Sequence, residues 1–157
     1  MKKKIFCDID NTVLDQYSEM KKYYNFQIKK LDVKLFKNRN LQKDKPIPGA
    51  AEAINSLSSF YDIVWLSARD KNLYNQTELW LQNNNFAINK IILVESHDKK
   101  IKILRNSDCY VFIDDLKYNY ENLEPKPMTR LINKLEYYNI RYIVFNNNWA
   151  ELVKLLS

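Results

Sequence analysis

The sequence predicts an α/β domain built on a central parallel sheet with helices on both faces. Three observations lead there. Five short apolar runs, rich in β-branched and aromatic residues, read as buried strands. Helical periodicities separate most of them, and strands that alternate with helices indicate crossover connections and a parallel sheet. At 157 residues the chain is long enough for one substantial core, so a single domain over residues 1–157 is expected.

The first strand is Ile5 to Ile9, and it runs into Asp8 and Asp10. From Tyr17 to about Leu35 the apolar residues Tyr17, Met20, Tyr24, Ile28, Leu31 and Leu35 recur as one face of a long helix. This breaks the alternation and predicts a mostly helical insert over residues 16–46, ending before Pro46-Ile47-Pro48-Gly49. Leaving the sheet just after the Asp pair and returning to it, the insert is expected to hang over the strand ends. Ala50 to Phe60 carries Ala50, Ala53, Ile54 and Leu57 at helical spacing, before the second strand at Ile63 to Leu66. Asn72 to Asn83 repeats Leu73, Thr77, Trp80 and Leu81, a pattern that makes Trp80 a core residue rather than a stacking platform. Strands at Ile91 to Val94 and Tyr110 to Ile113 bracket a helix opening at Asp98. Met128 to Tyr138 is helical through Leu131, Ile132 and Leu135; Tyr142 to Phe145 is the last strand, and Trp149 to Leu156 the last helix. Tyr118 to Met128 reads as a loop with no assigned role.

Scarcities exclude several chemistries. With one histidine (His97), zinc sites built from several imidazoles are unavailable. With one glycine (Gly49), neither a dinucleotide-binding loop nor a Walker-type phosphate loop can form. Asparagines, including Asn83-Asn84-Asn85 and Asn146-Asn147-Asn148, are expected at the turns glycine would otherwise fill. Cys7 and Cys109, in or beside apolar runs, read as buried free thiols. No stretch approaches the roughly 20 apolar residues of a membrane span. The amino terminus lacks the apolar core of a signal peptide, so a cytoplasmic chain with no membrane partner is expected. Charge is uneven: between Met20 and Lys45, nine Lys or Arg residues face only Asp32 and Asp44. That basic segment is either a solvated face or an attraction for an anionic substrate.

Carboxylates at the carboxyl end of a buried strand are costly unless a positive group sits there. That edge is also where open α/β sheets place ligands. Asp8 and Asp10 follow the first strand, Ser67 the second, and Asp114-Asp115 the strand Tyr110-Val111-Phe112-Ile113, while Lys99, Lys100 and Lys102 lie on the intervening helix. In a parallel sheet these ends share one edge, and a hard cation with a phosphate would account for the carboxylates together.

In this order the residues resemble the haloacid dehalogenase (HAD) superfamily. Asp8-Ile9-Asp10-Asn11-Thr12 resembles its first motif, Ser67 its second, a lysine among Lys99, Lys100 and Lys102 its third, and Asp114-Asp115 its fourth. Counting back from the acidic pair favours Lys100. Asn11 stands where many relatives have glycine. The resemblance implies a three-layer, Rossmann-like HAD core with a small helical cap inserted after the first strand. It further implies a Mg²⁺-dependent phosphohydrolase. Asp8 would be the nucleophile and Asp10 the general acid and base. Ser67 and Lys100 would hold phosphoryl oxygens, and Thr12 and Arg69 would join them in binding substrate. Asp8, the backbone carbonyl of Asp10, and Asp114 would hold the metal, with Asp115 beside it.

The leaving group is less defined. Leu66-Ser67-Ala68-Arg69 followed by Thr77-x-x-Trp80-Leu81 resembles the phosphatase domain of polynucleotide kinase/phosphatase enzymes. That implies a nucleic-acid end as substrate, with a nucleotide or sugar phosphate as the competing small-molecule reading. A HAD-like domain that binds without turnover is the non-enzymatic alternative, and the intact acidic motifs argue against it.

Overall fold

A computed structural model describes residues 1–157. Strand β1 (Lys3–Cys7) leads into an insert made of helix α1 (Gln16–Lys22), a hairpin of β2 (Tyr24–Asn25) and β3 (Lys30–Leu31), and helix α2 (Val33–Lys37). The chain continues through α3 (Ala50–Ser58), β4 (Tyr61–Ser67), α4 (Tyr74–Asn83), β5 (Lys90–Leu93), α5 (His97–Arg105) and β6 (Cys109–Asp114). A second hairpin, β7 (Lys117–Tyr118) with β8 (Lys126–Pro127), precedes α6 (Thr129–Tyr137), β9 (Tyr142–Val144) and α7 (Trp149–Leu156). No helix is long and apolar enough to cross a membrane.

The five expected strands form one sheet in the order β5-β4-β1-β6-β9, and every pairing is parallel. Period-two alternation sorts their side chains into two layers. Ile5, Cys7, Ile63, Trp65, Val111 and Ile113 face α3, α4 and α7 in the larger core cluster. Phe6, Val64, Leu66 and Phe112 face α5 and α6 in the smaller one. Both faces of the central strands are therefore buried, which is why they read as continuous apolar runs.

Three tryptophans bury their rings and still satisfy their indole N–H groups. Trp65 donates to the Ala87 carbonyl, Trp80 to the Asp44 carbonyl, and Trp149 to the Thr12 carbonyl. The last two bonds tie α4 to the end of the insert and α7 to the loop after β1. Trp80 is a core residue, fully buried and stacked on Phe86.

The expectation of one long helix across Tyr17–Leu35 does not hold. Local side-chain bonds override the apolar periodicity. The Asn25 carboxamide accepts from the amides of Gln27 and Ile28 and turns the chain, and Lys29 adopts φ +53°. Asp32 then caps a new helix by accepting from Leu35 N. Ile28 and Leu35, placed on the buried face by the helical reading, are 65% and 58% exposed. The two ends of the insert lie side by side: Asp15 N donates to the Lys45 carbonyl and Ile47 N to the Val13 carbonyl, both at 2.8 Å.

Asparagine does take over turn positions. Of nine non-glycine residues with positive φ, five are asparagines: Asn11, Asn85, Asn119, Asn139 and Asn147. Gly49, at the N-cap of α3, has φ +81°, and a Cβ there would meet only Trp149 Cβ at an ordinary 3.9 Å. The demand for glycine is thus conformational rather than steric. Gly49→Ala should lower unfolding free energy by about 1–2 kcal/mol in urea denaturation, and Gly49→Asn should lose less.

Candidate active site

The parallel topology brings the carboxyl ends of β1, β4 and β6 together. Asp8, Asp114 and Asp115 offer carboxylate oxygens within 4.8 Å of one another, all three residues buried. Lys100, on the buried face of α5, has no exposed surface, and its Nζ donates to Asp8 Oδ1 at 2.9 Å and Asp114 Oδ2 at 2.8 Å. Lys99 and Lys102 point to solvent. Of the three lysines, only Lys100 meets the acidic residues.

One ammonium faces three carboxylates, and the imbalance appears in their protonation. Burial and the neighbouring Asp114 push the Asp8 carboxyl up to about 7. Burial, then Asp114 and Asp8, raise Asp115 well above the carboxylate range. Asp114 is held low despite its burial by Lys100 and by hydrogen bonds that include Leu116 N. Lys100 is raised, because Asp114 and Asp8 together outweigh the penalty of burying its charge. The oxygen-only donors and surplus negative charge suit a hard divalent cation and not a soft one.

Asp10 faces a different partner. Arg69 grips it in a forked pair, Nε to Oδ2 at 2.9 Å and Nη2 to Oδ1 at 2.7 Å, while Nη1 donates to Thr77 Oγ1 at 2.9 Å. Burial alone would raise Asp10, but the charge and hydrogen bonds of Arg69 hold it below the usual value. Arg69, expected to meet a substrate phosphate, lines the cavity at 9% exposure, and its donors serve Asp10 and Thr77. Thr12, also expected to bind substrate, lies against Asp8. It is fully buried, its hydroxyl donating to Asp8 Oδ2 at 3.2 Å and accepting from Asp115 N at 3.1 Å. Thr12 holds Asp8 from behind. Both Asp8 oxygens are thus oriented, one by Lys100 and one by Thr12. Ser67 lines the cavity and accepts from Arg69 N at 3.2 Å, fixing the turn that carries the arginine.

These groups open into a cavity of about 640 Å³. The insert supplies one wall, with Met20, Phe36, Lys37 and Arg39. Arg39 is stacked over the Phe36 ring and bound through Nε and Nη2 to the buried Asp44. The hairpin after β6 supplies another wall, with Lys117, Tyr118 and Tyr120. Two residues escaped sequence reasoning. His97 lines the cavity one helical turn before Lys100, a spacing legible in the sequence. The Tyr120 hydroxyl donates to Asp115 Oδ2 from a segment whose sequence carries no local signal of that contact.

A family model described as HAD superfamily, subfamily IIIB (acid phosphatase) matches residues 1–107. No curated protein matches the chain in sequence. Among solved structures, a chain of the Pnkp1/Rnl/Hen1 RNA repair complex superposes with a TM-score of 0.58 at 15% identity, over 92% of this chain and 43% of that one. The chain thus spans less than half the length of that repair-complex chain. A haloacid dehalogenase-like hydrolase from Streptococcus pneumoniae superposes with a TM-score of 0.56 at 14% identity, over 99% of both chains. The class C acid phosphatase from Bacillus anthracis gives 0.57 at 20% identity, over 94% of this chain and 68% of that one. At such identities the superpositions establish the shared fold, and the family model covers more than half of the sequence. With Asp8, Ser67 and Asp114-Asp115 at one sheet edge, Lys100 reaching Asp8 and Asp114 from α5, and that match across residues 1–107, the chain belongs to the HAD superfamily, in the subfamily IIIB family of acid phosphatases.

Proposed function

We propose that this protein is a Mg²⁺-dependent phosphomonoesterase that works through an aspartyl-phosphate on Asp8. The observation that carries the proposal is the Lys100 bridge to Asp8 and Asp114, buried beneath a cavity that Asp8, Asp10 and Asp115 line. Asp8, Asp114 and the Asp10 carbonyl would hold the cation, which supplies charge neutralisation between carboxylate and phosphate. An Asp8 oxygen attacks phosphorus, and the bond to the leaving oxygen breaks as that oxygen takes a proton from Asp10. Water then gives a proton back to Asp10 and attacks the phosphoryl group, the Asp8–phosphorus bond breaks, and inorganic phosphate leaves. Lys100 and Ser67 stabilise the phosphoryl oxygens. Thr12 keeps Asp8 aimed. Arg69 favours the ionised form of Asp10, which serves the second half of the cycle.

The insert acts as a cap in this reading, forming one wall of the cavity over the reacting groups. Its exposed Lys29, Lys30 and Lys34 favour a polyanionic substrate, so a 3′-phosphorylated nucleic-acid end is the second reading beside a nucleotide or sugar phosphate. The likeness of fold to a chain of an RNA repair complex is consistent with it.

Phosphate release from an aryl phosphate should require Mg²⁺, cease with EDTA, and fall by roughly three orders of magnitude or more in Asp8→Asn. Full activity in that variant would overturn the mechanism, and no phosphate release by the unmodified chain would leave a binding domain. Comparing a 3′-phosphorylated oligonucleotide with nucleoside monophosphates and sugar phosphates at two salt concentrations separates the substrate classes. Reversing charge at Lys29, Lys30 and Lys34 should weaken only the oligonucleotide, and a salt-independent preference for small phosphates removes the nucleic-acid reading.

Arg69→Gln should let the Asp10 pKa rise, and because Asp10 must be protonated to serve the leaving oxygen, the alkaline limb of the kcat/KM profile should move to higher pH. An unmoved limb would dissociate Arg69 from proton transfer.

The raised Asp8 pKa carries a sign for stability as well. Below the unfolded value of 3.8 Asp8 is protonated in both states, and between there and about 7 only the unfolded chain loses the proton. Without a cation, Asp8 should therefore destabilise the fold increasingly across that window. Thermal melts should show Asp8→Asn gaining on wild type as pH rises from about 4 to about 7, and Mg²⁺ should reverse the difference.

A further inference from the structure

We propose that Tyr120 is a positioning residue for Asp115, the carboxyl group beside the cation-holding Asp8 and Asp114, and that Tyr17 ties its placement to the insert. The inference rests on the reading of the acidic cluster as a divalent-cation site. The segment after Asp114-Asp115 turns away from the sheet at Leu116, which adopts φ +51°, and folds as the β7–β8 hairpin. Asn119 at φ +70° and Leu123 at φ +58° bracket a turn of 3₁₀ helix, Tyr120–Asn122. Left-handed conformations at two leucines are unfavourable locally, so the surroundings must hold the backbone there. The outcome of that path is that the Tyr120 hydroxyl returns to donate to Asp115 Oδ2.

The ring of Tyr120 packs edge-on against Tyr17, centroids 5.4 Å apart, and the Tyr17 hydroxyl donates to the Leu123 carbonyl at 3.2 Å. Tyr17 N donates to Asn11 Oδ1 at 2.8 Å, so helix α1 is also tied to the loop that carries Asp8 and Asp10. A closed ring of contacts therefore runs from the first acidic motif through the insert to the second.

The choice of a phenol is physically informative. Asp115 shares its place with Asp8 and Asp114, three carboxyl groups within 4.8 Å of one another, and a fixed geometry there needs a restraint. A second lysine would supply one but would neutralise the charge that attracts a cation. A neutral hydroxyl fixes one carboxylate oxygen and adds no positive charge to the cluster. Partners of this kind contribute about 10- to 100-fold to metal affinity.

The test is isothermal titration of the full chain with MgCl₂ and MnCl₂, alongside thermal melts of the cation-free protein. Tyr120→Phe keeps the ring against Tyr17 and removes only the hydroxyl; it should weaken cation binding about tenfold or more while still melting cooperatively. Tyr17→Ala, which leaves Tyr120 and Asp115 intact, should give a smaller loss. In turnover of an aryl phosphate, excess Mg²⁺ should restore the Tyr120→Phe rate, a rescue that general structural damage would not permit. Wild-type affinity in Tyr120→Phe overturns the positioning role, and wild-type affinity in Tyr17→Ala overturns the link to the insert. If the unmodified chain binds neither metal, both this inference and the cation reading fall; if it binds and Tyr120→Phe matches it, only this inference does.

Discussion

Three carboxylates are buried at the ends of two neighbouring strands, and Lys100 is the one ammonium placed among them. Charge taken out of water is costly, and breaking such a group by removing one partner leaves the others uncompensated. The position of Lys100 depends on everything around it. Its helix must pack on the sheet face lined by Phe6, Leu66 and Phe112, which it does through Ile101 and Leu104. β1 and β6 must be adjacent and parallel for Asp8 and Asp114 to share its Nζ. Register, layer and helix phase thus converge on a single atom.

The compensation is deliberately incomplete. Asp10 has its own arginine, but Asp8, Asp114 and Asp115 are more acids than Lys100 can neutralise, and Asp8 and Asp115 are driven toward their protonated forms. A protein selected only for stability would replace such a cluster with apolar residues. Retaining it makes sense where a cation and a phosphate complete the site. The two acid environments also divide labour: one carboxyl is raised beside other acids, and the other is held ionised by a guanidinium. Pairs of titratable groups driven apart in this way are the usual basis of nucleophile and proton-transfer assignments.

Around that centre, the irregular parts are anchored by polar contacts rather than by a large core of their own. The insert is closed by backbone bonds where it leaves and returns, by the Arg39–Asp44 pair, and by the Trp80 indole on the Asp44 carbonyl. Its outward residues Phe26, Ile28, Val33 and Leu35 remain exposed. Its helical periodicity was misleading because short polar side chains, Asn25 and Asp32, bond to nearby amides and redirect the backbone. Apolar spacing reports a helix reliably only where a core receives the stripe, as under α3 and α7.

Local patterns along the chain suffice to define the parallel sheet, its bordering helices and the acidic edge. Apolar runs and carboxylates just past them are patterns within a few residues of chain, and strand polarity carries them to one side. The sequence also narrowed the lysine that meets this edge to three neighbours. Tertiary structure decided the rest: Lys100 over Lys99 and Lys102, Arg69 with Asp10 rather than free, Thr12 behind Asp8 rather than facing the cavity, and Tyr120 on Asp115. Arg69 and Asp10 stand 59 residues apart, Lys100 and Asp8 92, and Tyr17 and Leu123 106. Hydrogen bonds and ion pairs act over about 3 Å, so their partners are set by how the layers pack, and no local pattern encodes that distance.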